Sequence, residues 1–234
     1  MENKRVIASI LIVILLIICL VGGSYLFNGF GKKQTKLLTE ETNKILQADI
    51  TTENIDLDIK TEKNYAIVEK AIKEYISELK NIYVEINEMN TNINPNNIFS
   101  AQNMQDKYLK EVEYIIDEYK EKNQNATKEL EELLTEEKIA ENINKRNITK
   151  RKDYYTNLYN TIMTSDAMKK QYNLLEEKIK DEKSKLTEKM NQISKISEFL
   201  KKNSDAWTIK DDKIQFNNLN RMTEYYSLIN KLAD

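Results

Sequence analysis

The chain has 234 residues, with 36 lysines and arginines against 38 aspartates and glutamates, a formal net charge of −2. Near-neutral charge with interleaved signs excludes the basic footprint of a nucleic-acid binder. The absence of histidine and the single cysteine exclude a disulfide scaffold and leave little for a transition-metal site. One proline and four glycines, none beyond Gly31, are too little punctuation for a turn-rich sheet domain, so the expected fold class is all-α.

Residues 1–5 form a short tail with Lys4 and Arg5, and Val6–Phe27 then runs for 22 residues without a charge. A helix of that length rises about 33 Å, enough for a hydrocarbon core of about 30 Å. A cleaved secretory signal has a shorter apolar core, so the run predicts a retained transmembrane anchor at 6–27. Cys19 sits inside it. A lipidation site needs a small residue before the cysteine and an end to the apolar stretch after it. Ile18 stands at that position and apolar sequence continues, so Cys19 is expected to be unmodified. Lys4 and Arg5 face Lys32, Lys33 and Lys36 across the span, a near tie in positive charge. A short tail stays inside and long C-terminal domains translocate with little regard to charge, which predicts a single-pass protein with its C-terminal part extracellular.

Residues 28–61 read as a linker, helical over Lys36–Ala48 and irregular or extended over Asp49–Lys60. Residues 62–234 read as a helical bundle. Tyr65, Val68, Ile72, Tyr75, Leu79, Ile82, Ile86 and Met89 step alternately by three and four, an a/d heptad seam. Asn90–Asn97, with the lone Pro95, is expected to be a loop. A further helical stretch over 101–163 carries Met104, Tyr108, Val112, Ile115, Tyr119, Leu130, Leu133, Ala140, Tyr155, Leu158 and Ile162 on its seam. Unbroken it would reach about 95 Å, so a break is expected near Asn123–Asn125 or Asn142–Asn147. Thr164-Ser165-Asp166 supplies an N-cap for a second long seam from Met168 to Leu200, with Glu182 and Lys189 as polar lapses.

AWTIKDDKIQF at 206–216 then alternates. A turn at Asp211-Asp212 puts Trp207 opposite Phe216 and Ile209 opposite Ile214, predicting a C-terminal β-hairpin whose apolar face lies on a helix. A last helix follows, with Leu219, Met222, Tyr226, Ile229 and Leu232 on one side.

Candidate chemistry is sparse. The acidic runs Glu129–Glu132 and Glu136-Glu137 read as solvated helix faces, without the histidine or glycine loop an active site would add. No catalytic, metal or cofactor-binding residue is assigned, and the expectation is a non-enzyme without cofactors. Of the 13 tyrosines, those on the seams read as core. The doublets Tyr154-Tyr155 and Tyr225-Tyr226 point adjacent side chains about 100° apart, so one of each should face outward and serve as a surface-binding candidate. The motifs Asn125-Ala126-Thr127 and Asn147-Ile148-Thr149 match the glycosylation pattern, as chance allows in an asparagine-rich chain.

The N-terminal anchor, the long Lys/Glu/Asn-rich helical part and the ending WTIKDDKIQFNN…YYSLINKL together resemble surface proteins of low-GC Gram-positive bacteria, nearest the cell-wall-binding lipoproteins. The lipobox of that family is absent around Cys19. The resemblance implies an elongated, antiparallel, spectrin-like bundle displayed at the surface, with no site residue carried over. The expected function is a membrane-tethered extracellular binding or spacer module near the cell wall, with a wall or protein partner. The alternatives are a cytoplasmic-facing membrane-anchored coiled-coil scaffold and a surface hydrolase.

Overall fold

A computed structural model describes residues 29–233. The span expected at Val6–Phe27, with Cys19, lies outside the described residues. The described residues are mostly helical and end in one small hairpin: α1 (Gly29–Gln47), α2 (Lys63–Asn92), α3 (Pro95–Ile98), α4 (Lys110–Leu133), α5 (Glu136–Asn144), α6 (Lys152–Met163), α7 (Asp166–Lys202), β1 (Trp207–Lys210), β2 (Lys213–Phe216) and α8 (Leu219–Ala233). No helix among them is long and apolar enough to cross a membrane.

The chain forms two compact units. The first holds the described residues up to Val84 together with Glu129–Lys178, and the second holds Glu85–Lys128 and residues from Ile179 onward. In the first unit the α2 seam is buried as its spacing requires: Tyr65, Val68, Ile72, Tyr75, Leu79 and Ile82 are each at most 3% exposed. A fully buried aliphatic side chain contributes roughly 1.5–3 kcal/mol, so the seam dominates local stability. The helix expected over Lys36–Ala48 is present and begins earlier, at Gly29; it belongs to the core, with Leu38, Ile45 and Leu46 buried. Only 48–62 connects α1 to α2 irregularly.

The second unit buries Ile86 and Met89 from α2 and Leu186, Ile193, Ile196 and Leu200 from α7. The two polar lapses on the α7 seam have a common explanation. Asn90 Nδ2 donates to Glu182 Oε2 at 2.9 Å, and Lys189 Nζ donates to the Asn90 carbonyl at 2.9 Å. Each lapse therefore satisfies a polar group on the facing seam. Ser165 caps α7, its Oγ accepting from Met168 N at 3.3 Å.

Between the long helices the expected pattern fails in places with identifiable causes. Residues 101–109 form turns rather than helix. Leu109 adopts φ of 53° immediately before α4 and is fully buried. This conformation costs roughly 1–2 kcal/mol, and a buried leucine offsets it. The shift turns Tyr108 out to 74% exposure and makes Ile116, not Ile115, the buried partner of Val112. Helix α4 runs through Asn123–Asn125 without a break, supported by the i,i+4 pair Glu118–Lys122 at 2.7 Å. The breaks fall at 134–135, where none is expected from the sequence, and at 145–151, in line with the expected break near Asn142–Asn147. Thr135 caps α5, its side chain accepting from Lys138 N, with Glu136 and Glu137 in the first turn.

The hairpin has the expected register, Trp207↔Phe216 and Ile209↔Ile214. Asp211 and Asp212 both take positive φ, 54° and 56°, the pair a two-residue turn of mirror-image type needs. Trp207 is 1% exposed, and its Nε1 donates to the Leu200 carbonyl at 2.8 Å. The hairpin thus closes the end of α7. On α8 the buried positions are Tyr225 and Leu232. Leu219 and Tyr226, assigned from the sequence to the inner side, are exposed instead, because Phe216 of the hairpin meets Tyr225 at 5.2 Å and fixes the rotation of the helix.

Candidate functional site

The tyrosine doublets resolve differently from each other. Tyr154 and Tyr155 open α6 and are both half-buried. Tyr155 meets Tyr65 edge-on at 5.2 Å and 89°, and Tyr154 at 4.9 Å and 83°. A hydroxyl chain runs from Thr35 Oγ1 to Tyr65 OH and on to Tyr154 OH, each step 3.4 Å. Burial, ahead of the Tyr65 contacts, holds the Tyr154 hydroxyl well above the ordinary phenol range, and burial likewise raises Tyr155. These rings form the polar edge of a core rather than an open stacking platform. In the second doublet Tyr225 is 5% exposed, with its hydroxyl pushed up to about 12 by burial, whereas Tyr226 is 48% exposed. Of the four candidates, Tyr226 is the one that stands in solvent.

The second unit has two open clefts. One, of 490 Å³, lies between the end of α2 and α4, and its lining includes Glu85, Glu88, Glu118 and Lys122 together with Met89 and Tyr119. The other lies beside the hairpin, where Lys107 Nζ sits 3.4 Å from the centre of the Trp207 ring and donates to the Trp207 carbonyl. Burial pulls the Lys107 ammonium below the usual lysine range. Both clefts are shallow and polar-rimmed, unlike the enclosed apolar pockets that bury small molecules.

The least expected arrangement lies in the first unit. Glu41 on α1 and Glu69 and Lys73 on α2 are at most 4% exposed. Lys73 Nζ is 2.6 Å from Glu41 Oε2 and 2.8 Å from Glu69 Oε1, and it donates to the Asp58 carbonyl at 2.7 Å. All three ammonium protons are thereby used. Glu41 also accepts from Lys44. The Glu69 carboxylate accepts from Lys60 N at 3.1 Å and from Thr61 N and Thr61 Oγ1 at 2.8 and 2.7 Å. Burial is the largest influence on both groups and opposes their charge. The hydrogen bonds outweigh it, so Lys73 is raised above and Glu69 lowered below its ordinary value.

This cluster fastens the connection 48–62 to the helices. Asp49 and Lys178 clamp its start at 2.8 Å, and the Lys178 and Thr51 hydrogen bonds lower the Asp49 carboxyl to about 2. Lys80 Nζ donates to the Glu53 carbonyl at 2.7 Å. From Asn54 to Lys60 the chain then runs without turn or bend. Leu57 and Ile59 stand exposed at 52% and 37%.

Sequence reasoning missed the buried ions because Glu69 and Lys73 each follow a seam residue, Val68 and Ile72, and read as flanking solvated charges. A usable signal lay in residues 55–60, Ile-Asp-Leu-Asp-Ile-Lys, whose strict alternation departs from the helical step around it.

Taken together, these features define a mostly helical protein with a small two-stranded hairpin near its C-terminus. Searches of the sequence against family models and characterised proteins, and of the fold against solved structures, find no match.

Proposed function

We propose that this chain is a membrane-tethered protein whose helical part works outside the cell as a non-enzymatic binding or spacer module near the wall. The observation that carries the reading is the uncharged run Val6–Phe27, which is followed after one residue by α1 at Gly29. In sequence, a single residue separates the uncharged run from the first described helix, a spacing that suits a folded part tethered close to the membrane. The seam spacing and the resemblance of residues 207–232 to wall-associated surface proteins support an elongated, spectrin-like antiparallel bundle. Solvent-facing Tyr226, the acidic cleft and the pinned segment 54–60 support contact with partners over turnover of a small substrate. Fractionation of cells expressing the full chain tests the tether. Recovery in the membrane fraction, resistant to high salt and released by detergent, is the expected result; release by salt alone overturns it.

A further inference from the structure

The start of α1, the start of α2 and the junction before α6 are stapled into one end of the first unit. Glu62 N donates to Gln34 Oε1 at 2.7 Å, and Lys63 Nζ lies 4.4 Å from the centre of the Phe30 ring. Asn64 Nδ2 donates to the Lys150 carbonyl at 2.8 Å, although 86 positions separate the two. Tyr65 adds its ring contact with Tyr155 and its hydroxyl contacts with Thr35 and Tyr154. Residues 29–36, 62–65 and 150–155 therefore share one neighbourhood.

That neighbourhood is basic. It carries seven cations, Lys32, Lys33, Lys36, Lys63, Lys150, Arg151 and Lys152, against two anions, Glu62 and Asp153, in a chain of net charge −2. All seven cations are exposed. Lys36 has a surface partner, Glu40 at 3.7 Å, whereas Lys32, Lys33, Lys150 and Lys152 form no ion pair among the described residues. Cations gathered in this way repel one another, a cost that a facing negative surface removes.

The place of this end in the chain selects what faces it. The uncharged run Val6–Phe27 stops two residues before Gly29, a separation of at most about 7 Å along the chain. Lysines next to a span also serve to orient it, but that signal is counted within about 15–20 residues of the span. Lys63, Lys150, Arg151 and Lys152 lie beyond that range and reach the anchor end only through folding. Basic surfaces held beside a bilayer are drawn to anionic headgroups, an attraction that fades over a Debye length of about 10 Å at 0.1 M salt. We infer that this basic end of the first unit docks on the anionic lipid headgroups of the membrane that holds the anchor. Headgroup phosphates lie against Lys32, Lys33, Lys63, Lys150 and Lys152 and set the first unit at a fixed attitude to the bilayer. This rests on the tether proposed above and holds whichever side of the membrane the unit occupies.

The test reconstitutes the full chain in lipid nanodiscs, either all phosphatidylcholine or one-third phosphatidylglycerol, and follows acetylation of each lysine by mass spectrometry. Lys63, Lys150 and Lys152 should acetylate at least about threefold more slowly in the anionic discs. Salt at 1 M, which shortens the Debye length to about 3 Å, should remove the difference. Lys169 and Lys170 are the internal reference, since the neighbouring Gln171 bonds the Leu46 carbonyl at the far end of α1; their rates should not change. Lys150→Gln/Lys152→Gln should reduce the protection of Lys63 and Lys169→Gln/Lys170→Gln should leave it, with both variants retaining the circular dichroism of the parent. Equal acetylation of Lys63, Lys150 and Lys152 in the two kinds of disc overturns the proposal and leaves the tether standing. Equal protection of Lys169 and Lys170 also overturns it, since the effect then belongs to the whole surface. The same protection by inorganic phosphate in phosphatidylcholine discs at matched ionic strength assigns a soluble anion and refutes the lipid. A chain that elutes apart from the phosphatidylcholine discs refutes the tether instead, and the basic end is then read by flotation with phosphatidylglycerol vesicles. Flotation reversed by 1 M salt and weakened at least about tenfold by Lys150→Gln/Lys152→Gln supports it, and failure to float overturns it.

Discussion

Replacing Lys73 with methionine probes the buried cluster most sharply. The change keeps the side-chain length and removes the ammonium that contacts Glu41 at 2.6 Å, Glu69 at 2.8 Å and the Asp58 carbonyl at 2.7 Å. Glu69 is left with only neutral donors, from Lys60 and Thr61, in a site 1% exposed. Breaking one partner out of a buried ion pair costs about 3–5 kcal/mol, which for a chain of this size lowers Tm by on the order of 10 °C. The pH dependence gives an internal check. With Lys73 present the Glu69 carboxyl lies below its ordinary value, so its contribution is intact above the ordinary carboxylate pKa and is lost as pH falls through the lowered one. Without Lys73, burial becomes the main influence and raises that carboxyl, so acid relieves the variant. Thermal unfolding of both proteins in detergent from pH 7 to pH 4 should show the gap in Tm narrowing. A loss below about 1 kcal/mol at pH 7, or a gap that widens towards acid, would refute the reasoning.

Three further outcomes follow from the packing. Trp207→Ala should cost about 3–5 kcal/mol, the range for emptying an aromatic core site, and the parent's tryptophan emission should be blue-shifted; emission as in water would place the ring outside the core. Leu79→Ala, on a fully buried seam position, should cost about 2–5 kcal/mol while Lys80→Ala costs less than about 1 kcal/mol, with chemical denaturation as the measure and equal losses as the contrary result. Burial pushes the Tyr159 and Tyr225 hydroxyls up to about 12. Their contribution to stability is therefore complete below the ordinary phenol pKa of about 10 and disappears as pH rises towards the raised value. Absorbance titration should show these two phenols ionising together with alkaline unfolding rather than near pH 10.

The helical seams and the hairpin were legible because each rests on one local rule applied over many residues. The seam from Tyr65 to Met89 keeps its step without exception, and the alternation of Trp207, Ile209, Ile214 and Phe216 fixes a register once the turn is placed. What was not legible depended on tertiary neighbours. Tyr225, rather than Tyr226, turns inward because Phe216 meets it, a contact that the α8 pattern alone does not encode. Leu109 takes a costly backbone angle to reach the core, so Tyr108, a sound seam residue by spacing, is expelled. Among the break signals, clustered asparagines at 123–125 proved weaker than Thr135 followed by two glutamates, a true capping signature. At the candidate site, the expectation that Asp49–Lys60 is irregular or extended was correct, but its fastening by Glu69 and Lys73 was hidden. Burial of a charge cannot be read from the charge itself.

The most direct test of the central claim is protease accessibility of the full chain, carrying a C-terminal epitope, in intact wall-stripped cells. An anchor at Val6–Phe27 with the helical part outside predicts that added protease removes the epitope from intact cells, leaving a cytoplasmic marker untouched. An epitope that survives in intact cells and is lost only after permeabilisation would contradict the account and put both helical units in the cytoplasm.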